Sequence, residues 1–174
     1  MIKMSARTTD SGKKAFEAFI KDLKKYKGAF VSVGVHEGAG NYTGGGKEEV
    51  SVVEVALWNE FGTKYMPERS FIRSTVDENQ GLINAWRQEA IGKITEGKWT
   101  VEKALEAIGF RLKLLIETKI KSNVPPPNAP STLAIKKRDG AGSATLMHTK
   151  LLSRSITYQV HMDEKSEGSE GGEE

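Results

Sequence analysis

The amino-acid sequence predicts an α+β fold in which a small antiparallel sheet packs against several helices, including one long central helix, with extended loops. Apolar residues recur every three or four positions over most of the chain, as in amphipathic helices. Short stretches near residues 30 and 160 instead alternate apolar and polar residues, as in strands. The 174 residues suffice for one domain with a core. We therefore expect a single domain over residues 1–162, followed by an acidic tail over residues 163–174.

The first predicted elements are a helix and a strand. Apolar residues at three-and-four spacing, with lysines opposite, predict an amphipathic helix from Lys14 to Tyr26, and Gly28 suits its end. Residues 30–36 alternate and predict a strand half-buried against that helix. The glycine-rich segment 37–48 is expected to be a loop, because so few side chains cannot offset the entropy of ordering it.

The next region is predicted to be helical. Residues 49–61 contain valines that favour a strand and an apolar stripe that favours a helix, and we predict a helix. After a turn at residues 64–67, the apolar positions of residues 72–94 predict one long helix. Gly81 should weaken this helix and Gly97 should close it.

A third helix carries the strongest apolar stripe of the chain. Thr100 is expected to cap it, since a hydroxyl can accept a hydrogen bond from a free amide of the first turn. The stripe runs from Val101 to Ile120 and includes Leu112 and Leu115. We expect this helix at the centre of the core, with both leucines buried.

Three consecutive prolines are expected to end that helix and begin an extended arm over residues 124–145. Within the arm, Ser131 is a candidate cap for a short helical turn. Residues 149–156 suit a short helix, and residues 156–162 alternate as a final strand that we expect to pair with residues 30–36.

Charge is distributed unevenly along the chain. The whole chain carries +3 while residues 163–174 carry −5, so the preceding residues carry +8. The acidic tail is expected to be disordered, because it offers no apolar side chain to bury. The basic remainder suits a nucleic acid or an acidic protein as partner. However, the sequence has no zinc-finger spacing and no glycine-aromatic signature of RNA-binding domains.

The sequence offers no catalytic set. There is no cysteine, and His36, His148 and His161 are isolated from one another and from any metal-ligand spacing. The glycine-rich segment does not fit a phosphate-binding loop, because Lys47 is followed by Glu48 where a hydroxyl is needed. No secretion signal or run of about 20 apolar residues is present. We therefore predict a non-enzymatic protein without cofactor, metal or membrane partner.

Three segments carry a family resemblance. They are VALWNEFGTKYMPERSFIRSTVDEN (residues 55–79), PPNAPSTLAIKK (residues 126–137) and LMHTKLLSRSITYQV (residues 146–160). In order and spacing they resemble the phage tail-component family that includes the HK97-type tail component and the lambda-type minor tail protein used in tail completion. The residues that carry the resemblance are Glu60, Phe61, Gly62, Thr63, Pro67, Arg69, Phe71, Pro130, Thr132, Leu133, Leu152 and Ile156.

The third segment departs from the family pattern, with Met147, His148 and Lys150 where an Asp-Thr-Gly-like stretch is expected before the leucines. The resemblance implies a structural virion protein of a tailed bacteriophage, made in the host cytoplasm and located at the neck, for tail completion and head-tail joining. It implies a homo-oligomeric ring of roughly six or twelve copies at the head-tail junction. From its proline and glycine composition, we expect the arm of residues 124–145 to be loose in the free subunit and ordered only between neighbouring subunits of the ring.

The same resemblance implies the partners of that ring. They are other neck, portal-side, tail-tube or terminator proteins, together with non-specific contact to genomic DNA in the channel. The basic charge alone supports a second hypothesis, a small basic DNA-binding protein.

Overall fold

The computed structural model describes residues 26–42, 49–147 and 150–162, together with seven positions between residues 14 and 24. These residues fall into two compact units. One comprises the described part of residues 31–160, and the other comprises described residues up to Phe30 together with His161 and Met162. The predicted acidic tail and part of the glycine-rich loop, residues 43–48, lie outside the described residues.

Three short strands are followed by a run of consecutive helices, and a final strand ends the described part of the chain. In order, the elements are β1 (Phe30–Val35), β2 (Asn41–Tyr42), β3 (Val50–Ser51), α1 (Val52–Phe61), α2 (Arg73–Glu78), α3 (Gln80–Thr95), α4 (Val101–Lys121), α5 (Pro130–Arg138), α6 (Leu151–Arg154) and β4 (Ile156–His161). Strand β1 pairs with β4, and β2 pairs antiparallel with β3. The predicted α+β class is confirmed, as is the pairing of the first and last alternating segments.

The smaller unit contains the described positions of the first predicted helix, whose residues 15, 16, 18, 22 and 25 lie outside the described residues. All seven described positions between residues 14 and 24 are helical, as the apolar spacing predicted. In the same unit the ring of Phe30 stacks on the ring of His161, with centroids 4.4 Å apart and planes inclined by 17°. This stacking joins the beginning of β1 to the end of β4.

Residues 49–61, whose pattern is compatible with a strand or a helix, contain a short strand followed by the predicted helix. A two-residue strand, β3, leads directly into α1. Ser51 ends the strand and caps the helix, because its hydroxyl accepts a hydrogen bond from the Glu54 amide and the Glu54 carboxylate accepts one from the Ser51 amide, both at 3.1 Å. Opposite Ser51 in the ladder lies Asn41, so β2 fixes the start of α1.

The single long helix predicted over residues 72–94 is wrong. The chain leaves helical geometry at Asn79, with φ −117° and ψ 20°, and this residue separates α2 from α3. The Asn79 side-chain amide donates to the carbonyl of Thr75 at 2.7 Å. Asparagine thus competes with the helical hydrogen bonds at this point, whereas Gly81, the expected weak point, lies inside α3.

Helix α4 begins as predicted, but only part of its predicted apolar stripe is buried, namely Ala104, Ile116 and Ile120. Thr100 accepts a hydrogen bond from the amide of Lys103 at 3.1 Å, which confirms the predicted cap. Leu112 and Leu115 are only half-buried, so their predicted place in the core is wrong. The buried residues of the core cluster are Val52, Ala56, Phe71, Ile116, Ile120, Val124, Leu152 and Ile156.

Gly109 is a buried position of α4 that the apolar stripe did not include. A Cβ atom at Gly109 would lie 2.7 Å from Cγ2 of Val31 and 2.8 Å from Cδ2 of Tyr158. Only a glycine lets α4 approach β1 and β4 this closely. A stripe defined by large apolar residues does not reveal a contact made by a residue without a side chain.

The arm predicted over residues 124–145 is not extended throughout. It contains the nine-residue α5, and Pro130 occupies its first turn, so the predicted cap at Ser131 is wrong. Both ends of the arm are anchored, since Val124 and Thr145 are buried and the Thr145 hydroxyl donates to the Val124 carbonyl at 2.8 Å.

The short helix predicted over residues 149–156 is confirmed as α6, one turn long. No helix in the described part of the chain is long and apolar enough to cross a membrane.

Candidate functional site

In the first of the three segments that carry the resemblance, residues 55–79, the carboxylate of Glu60 is the centre of a hydrogen-bond network. This side chain, at the end of α1, is 4% exposed. It accepts hydrogen bonds from the amides of Phe71, Ile72 and Arg73 at 2.8, 2.9 and 2.9 Å, and from the Ser70 hydroxyl at 2.7 Å. These amides open α2, so Glu60 caps one helix from the end of another.

The protonation of Glu60 reflects this environment. Burial alone raises the pKa of its carboxyl, because the charged form loses water. Hydrogen bonds from the Ile72 and Arg73 amides, the Ser70 hydroxyl and the Phe71 amide outweigh that effect, and the pKa of Glu60 lies below its ordinary value. The carboxylate is therefore ionised at neutral pH and committed to structural contacts.

The turn after α1 depends on glycine. Gly62 has φ +73°, and a Cβ there would lie 2.9 Å from the backbone nitrogen of Glu68. The Thr63 hydroxyl then accepts hydrogen bonds from the amides of Tyr65 and Met66, at 3.1 and 3.0 Å. The result is a tight loop that returns the chain to the side of α1.

Arg69 connects the first of these segments, residues 55–79, to the second, residues 126–137, through hydrogen bonds. Its backbone amide donates to the carbonyl of Asn59 at 2.7 Å, which holds the loop against α1. Its guanidinium donates through Nε to the carbonyl of Pro126 at 2.8 Å and through Nη2 to the carbonyl of Pro127 at 3.1 Å. Arg69 is 7% exposed, so these contacts are made away from solvent.

A second cation lies nearby on α5. Lys136 is 4% exposed and its amine donates to the carbonyl of Ala144. Burial lowers the pKa of Lys136, and the positive charge of Arg69 lowers it further; burial also lowers the pKa of Arg69. Neither cation forms an ion pair with any residue that the structure describes.

Both cations line a groove of about 590 Å³. Most of its other walls are apolar or aromatic. They are formed by Tyr42, Val55, Asn59, Tyr65, Met66, Pro67, Pro126, Pro127, Asn128, Ala129, Thr132, Leu146, Met147 and Leu152. A concave apolar surface with a few charged groups is the usual form of a binding site.

Most of the residues that carry the family resemblance lie in one of three locations: the turn after α1, the groove lining or the core. Glu60, Gly62 and Thr63 build the α1 turn, while Pro67, Arg69, Thr132 and Leu152 line the groove. Leu152 also belongs to the core, with Phe71 and Ile156.

The remaining three residues lie apart from the groove lining. Pro130 opens α5, and Leu133 and Phe61 are partly exposed. The Phe61 ring packs 4.6 Å from the Arg73 guanidinium.

Sequence reasoning missed Lys136 and the prolines that Arg69 contacts. Lys136 stands in the run Lys136-Lys137-Arg138, which resembles a solvated basic helix end. The only sequence signal was helical phase: Lys136 follows Thr132 by four residues and so shares its face.

A second polar cluster joins β1 to β4. His36 Nε2 lies 2.9 Å from the Ser32 hydroxyl, and His36 Nδ1 lies 2.7 Å from the Thr157 hydroxyl. A serine beside a histidine resembles a nucleophile and its base only superficially, because a carboxylate normally orients the imidazole and here a threonine takes that place. The cluster instead links the two strands through side chains.

The described residues contain no group of three His, Cys, Asp or Glu side chains placed to bind a metal ion. No protein-family model matches the sequence, and neither curated proteins nor solved structures give a significant match.

Proposed function

We propose that this protein is a structural subunit that acts by assembling with other proteins and not by catalysis. More specifically, we propose a neck or tail-completion protein of a tailed bacteriophage. Its copies form a homo-oligomeric ring of roughly six or twelve at the head-tail junction, joined to portal-side and tail-tube or terminator proteins. The three sequence segments that resemble the phage tail-component family are the basis for this choice of class.

Exposed apolar side chains are the observation that carries an assembly role. Helix α4 exposes Phe110 and Leu114, which are four residues apart and so share one face. Helix α5 exposes Leu133 and Ile135, which are two residues apart and lie on different sides of that helix. Large apolar side chains exposed on helices favour burial against another protein.

The geometry of the family segments supports the same proposal. The buried carboxylate of Glu60 and the buried guanidinium of Arg69 hold backbone groups of the chain itself. These two charges therefore stabilise a rigid framework that presents α1 and α5 to neighbours. A catalytic role for Glu60 would need its carboxylate to face a substrate, whereas it accepts hydrogen bonds from backbone amides of the chain itself.

Native mass spectrometry of the purified protein tests ring formation. We expect a discrete oligomer without nucleic acid. The variant Ile135→Glu should dissociate it, because a charge buried in an interface without a partner is costly. The control Ser131→Glu, at an exposed polar position of the same helix, should leave it intact. A monomeric wild-type protein at micromolar concentration contradicts the ring in isolation.

Imaging virions with an antibody against this chain tests the location. Label at the neck supports the proposal, and label confined to another part of the particle overturns it.

The alternative function is a small basic DNA-binding protein, which the basic last turn of α5 favours. Binding to bare duplex DNA that weakens steeply with salt, by a protein that stays monomeric, would select this alternative.

A further inference from the structure

We propose that the groove around Arg69 and Lys136 is a docking site for an extended segment of a partner protein that carries a carboxylate side chain next to an apolar one. The inference goes beyond the proposed ring and does not depend on it. The groove lies within the unit of residues 31–160, and one chain supplies all of its walls.

The charges in the groove favour an acidic occupant. Two cationic side chains, each more than nine-tenths buried, line one groove without a carboxylate partner among the described residues. Like charges held close together in a region of low dielectric repel each other. A carboxylate between Arg69 and Lys136 relieves this repulsion, and a guanidinium and a carboxylate form short, charge-assisted hydrogen bonds.

The free donors of both groups can serve a ligand. A guanidinium has five N–H donors, of which the carbonyls of Pro126 and Pro127 accept from Nε and Nη2. The Lys136 ammonium has three, and the Ala144 carbonyl accepts one. The carbonyl contacts fix the positions of both cations before a ligand arrives, which lowers the entropy cost of binding.

The walls of the groove favour an extended segment with an apolar side chain. Tyr65 stands at the edge of the groove with 87% of its surface exposed, and the exposed Pro126 and Pro127 lie among the lining residues. Rigid aromatic and proline surfaces bind extended peptides at low entropy cost. Met66 and Met147 add apolar surface that adapts to the shape of a ligand. The combination suits an acidic side chain with an apolar neighbour.

The experiment uses the full chain labelled with ¹⁵N and two synthetic probes. One is the capped peptide acetyl-Gly-Phe-Glu-Phe-Gly-amide, and the other has glutamine in place of the glutamate. We expect the acidic peptide to shift the amide resonances of groove residues such as Thr132 and Leu146 at millimolar concentration. The neutral peptide should bind with an affinity at least roughly tenfold lower, because it lacks the charge.

Two variants locate the recognition. Lys136→Met keeps a long side chain and removes the charge, and it should abolish the preference for the acidic peptide. Lys137→Met, which changes the exposed lysine next to it, should preserve the preference. If Lys136→Met does not fold, the comparison of the two peptides on the unmodified protein still decides the question.

Three results overturn the proposal: no shift with either peptide, equal affinity for both, or an equal loss of preference in both lysine variants. A third probe, a synthetic peptide of residues 163–174, distinguishes a partner from this chain's own acidic segment. If that peptide binds the groove more tightly than the acidic probe, the occupant is the acidic segment of this chain, from the same or another copy, and the proposed partner is wrong.

Discussion

The carboxylate of Glu60 accepts a hydrogen bond from the backbone amide of Phe71 at 2.8 Å, and this contact joins the end of α1 to the start of α2. Phe71 itself is fully buried in the core. The charge at Glu60 and the apolar packing at Phe71 therefore depend on one another: the core holds the amides in place, and the carboxylate satisfies them.

Replacing Glu60 should be costly. Glu60→Gln keeps the shape but removes the charge and presents an N–H group to backbone donors, so we expect a loss of about 2 to 4 kcal/mol in the free energy of unfolding. Urea denaturation measures it. Glu68→Gln is the matched control, because Glu68 is exposed and its ion pair with Arg73, at 2.8 Å, lies in solvent; its loss should stay below about 1 kcal/mol. Equal losses would show that the amide contacts contribute little.

Glu60 should also contribute to acid sensitivity. Its pKa in the folded protein lies below the ordinary value of 4.5, so the unfolded chain binds the proton more readily. The stabilisation is present above about pH 4.5 and is lost as the pH falls through the lower folded pKa. The difference in stability between wild type and Glu60→Gln should therefore shrink as the pH falls below that value. A difference that stays constant between pH 6 and pH 3 would contradict this assignment.

The turn at Gly62 should not accept a side chain. Gly62→Ala imposes both a left-handed backbone and an overlap with the backbone of Glu68. Gly97 has a similar φ of +70°, and a Cβ atom there would have no neighbour within 4 Å. The variant Gly97→Ala therefore measures only the cost of the left-handed backbone, which is about 1 kcal/mol in the free energy of unfolding. We expect Gly62→Ala to lose about 1 to 3 kcal/mol more than Gly97→Ala in the same denaturation experiment. Equal losses would mean that the turn relaxes.

Gly109 should respond in the opposite sense to an ordinary helical glycine. Gly92→Ala in α3 meets no neighbour within 4 Å and should stabilise the protein by roughly 0.5 to 1 kcal/mol. Gly109→Ala should destabilise it by about 1 to 3 kcal/mol, because the methyl group overlaps Val31 and Tyr158. Thermal denaturation of both variants shows the two signs. A stabilising Gly109→Ala would refute the close packing of α4 on β1 and β4.

Ile116 and Leu112 of α4 should differ in their sensitivity to truncation. Ile116 is 1% exposed, so Ile116→Ala should cost about 2 to 5 kcal/mol. Leu112 is half-buried, and Leu112→Ala should cost less, roughly 1 to 2 kcal/mol. The reverse order in urea denaturation would contradict the deeper burial of Ile116.

Local patterns predicted much of the fold, because their causes are local. Alternation defined β1 and β4, and a hydroxyl at Thr100 is sufficient to start α4. The break at Asn79 and the start of α5 at Pro130 were missed because each residue permits two conformations, and neighbouring contacts choose between them.

The candidate groove was less accessible to sequence reasoning. Arg69 was identified only through the family resemblance, and its contacts with Pro126 and Pro127 span nearly sixty positions of the chain. Lys136 differs from Lys137 in burial alone. Burial of a charged side chain is decided by tertiary packing, which composition and periodicity do not report.

The short hairpin of β2 and β3 offers a place to attach a label. Asn41 faces Ser51 in the ladder, so the two ends of the intervening segment are held together independently of its length. Lengthening a loop whose ends are already paired costs little, about 0.6 kcal/mol for each doubling. An epitope or a fluorescent module inserted between Gly44 and Gly45 should therefore leave α1 and the groove intact. Such a tagged protein would allow the subunit to be followed in living cells without blocking either terminus.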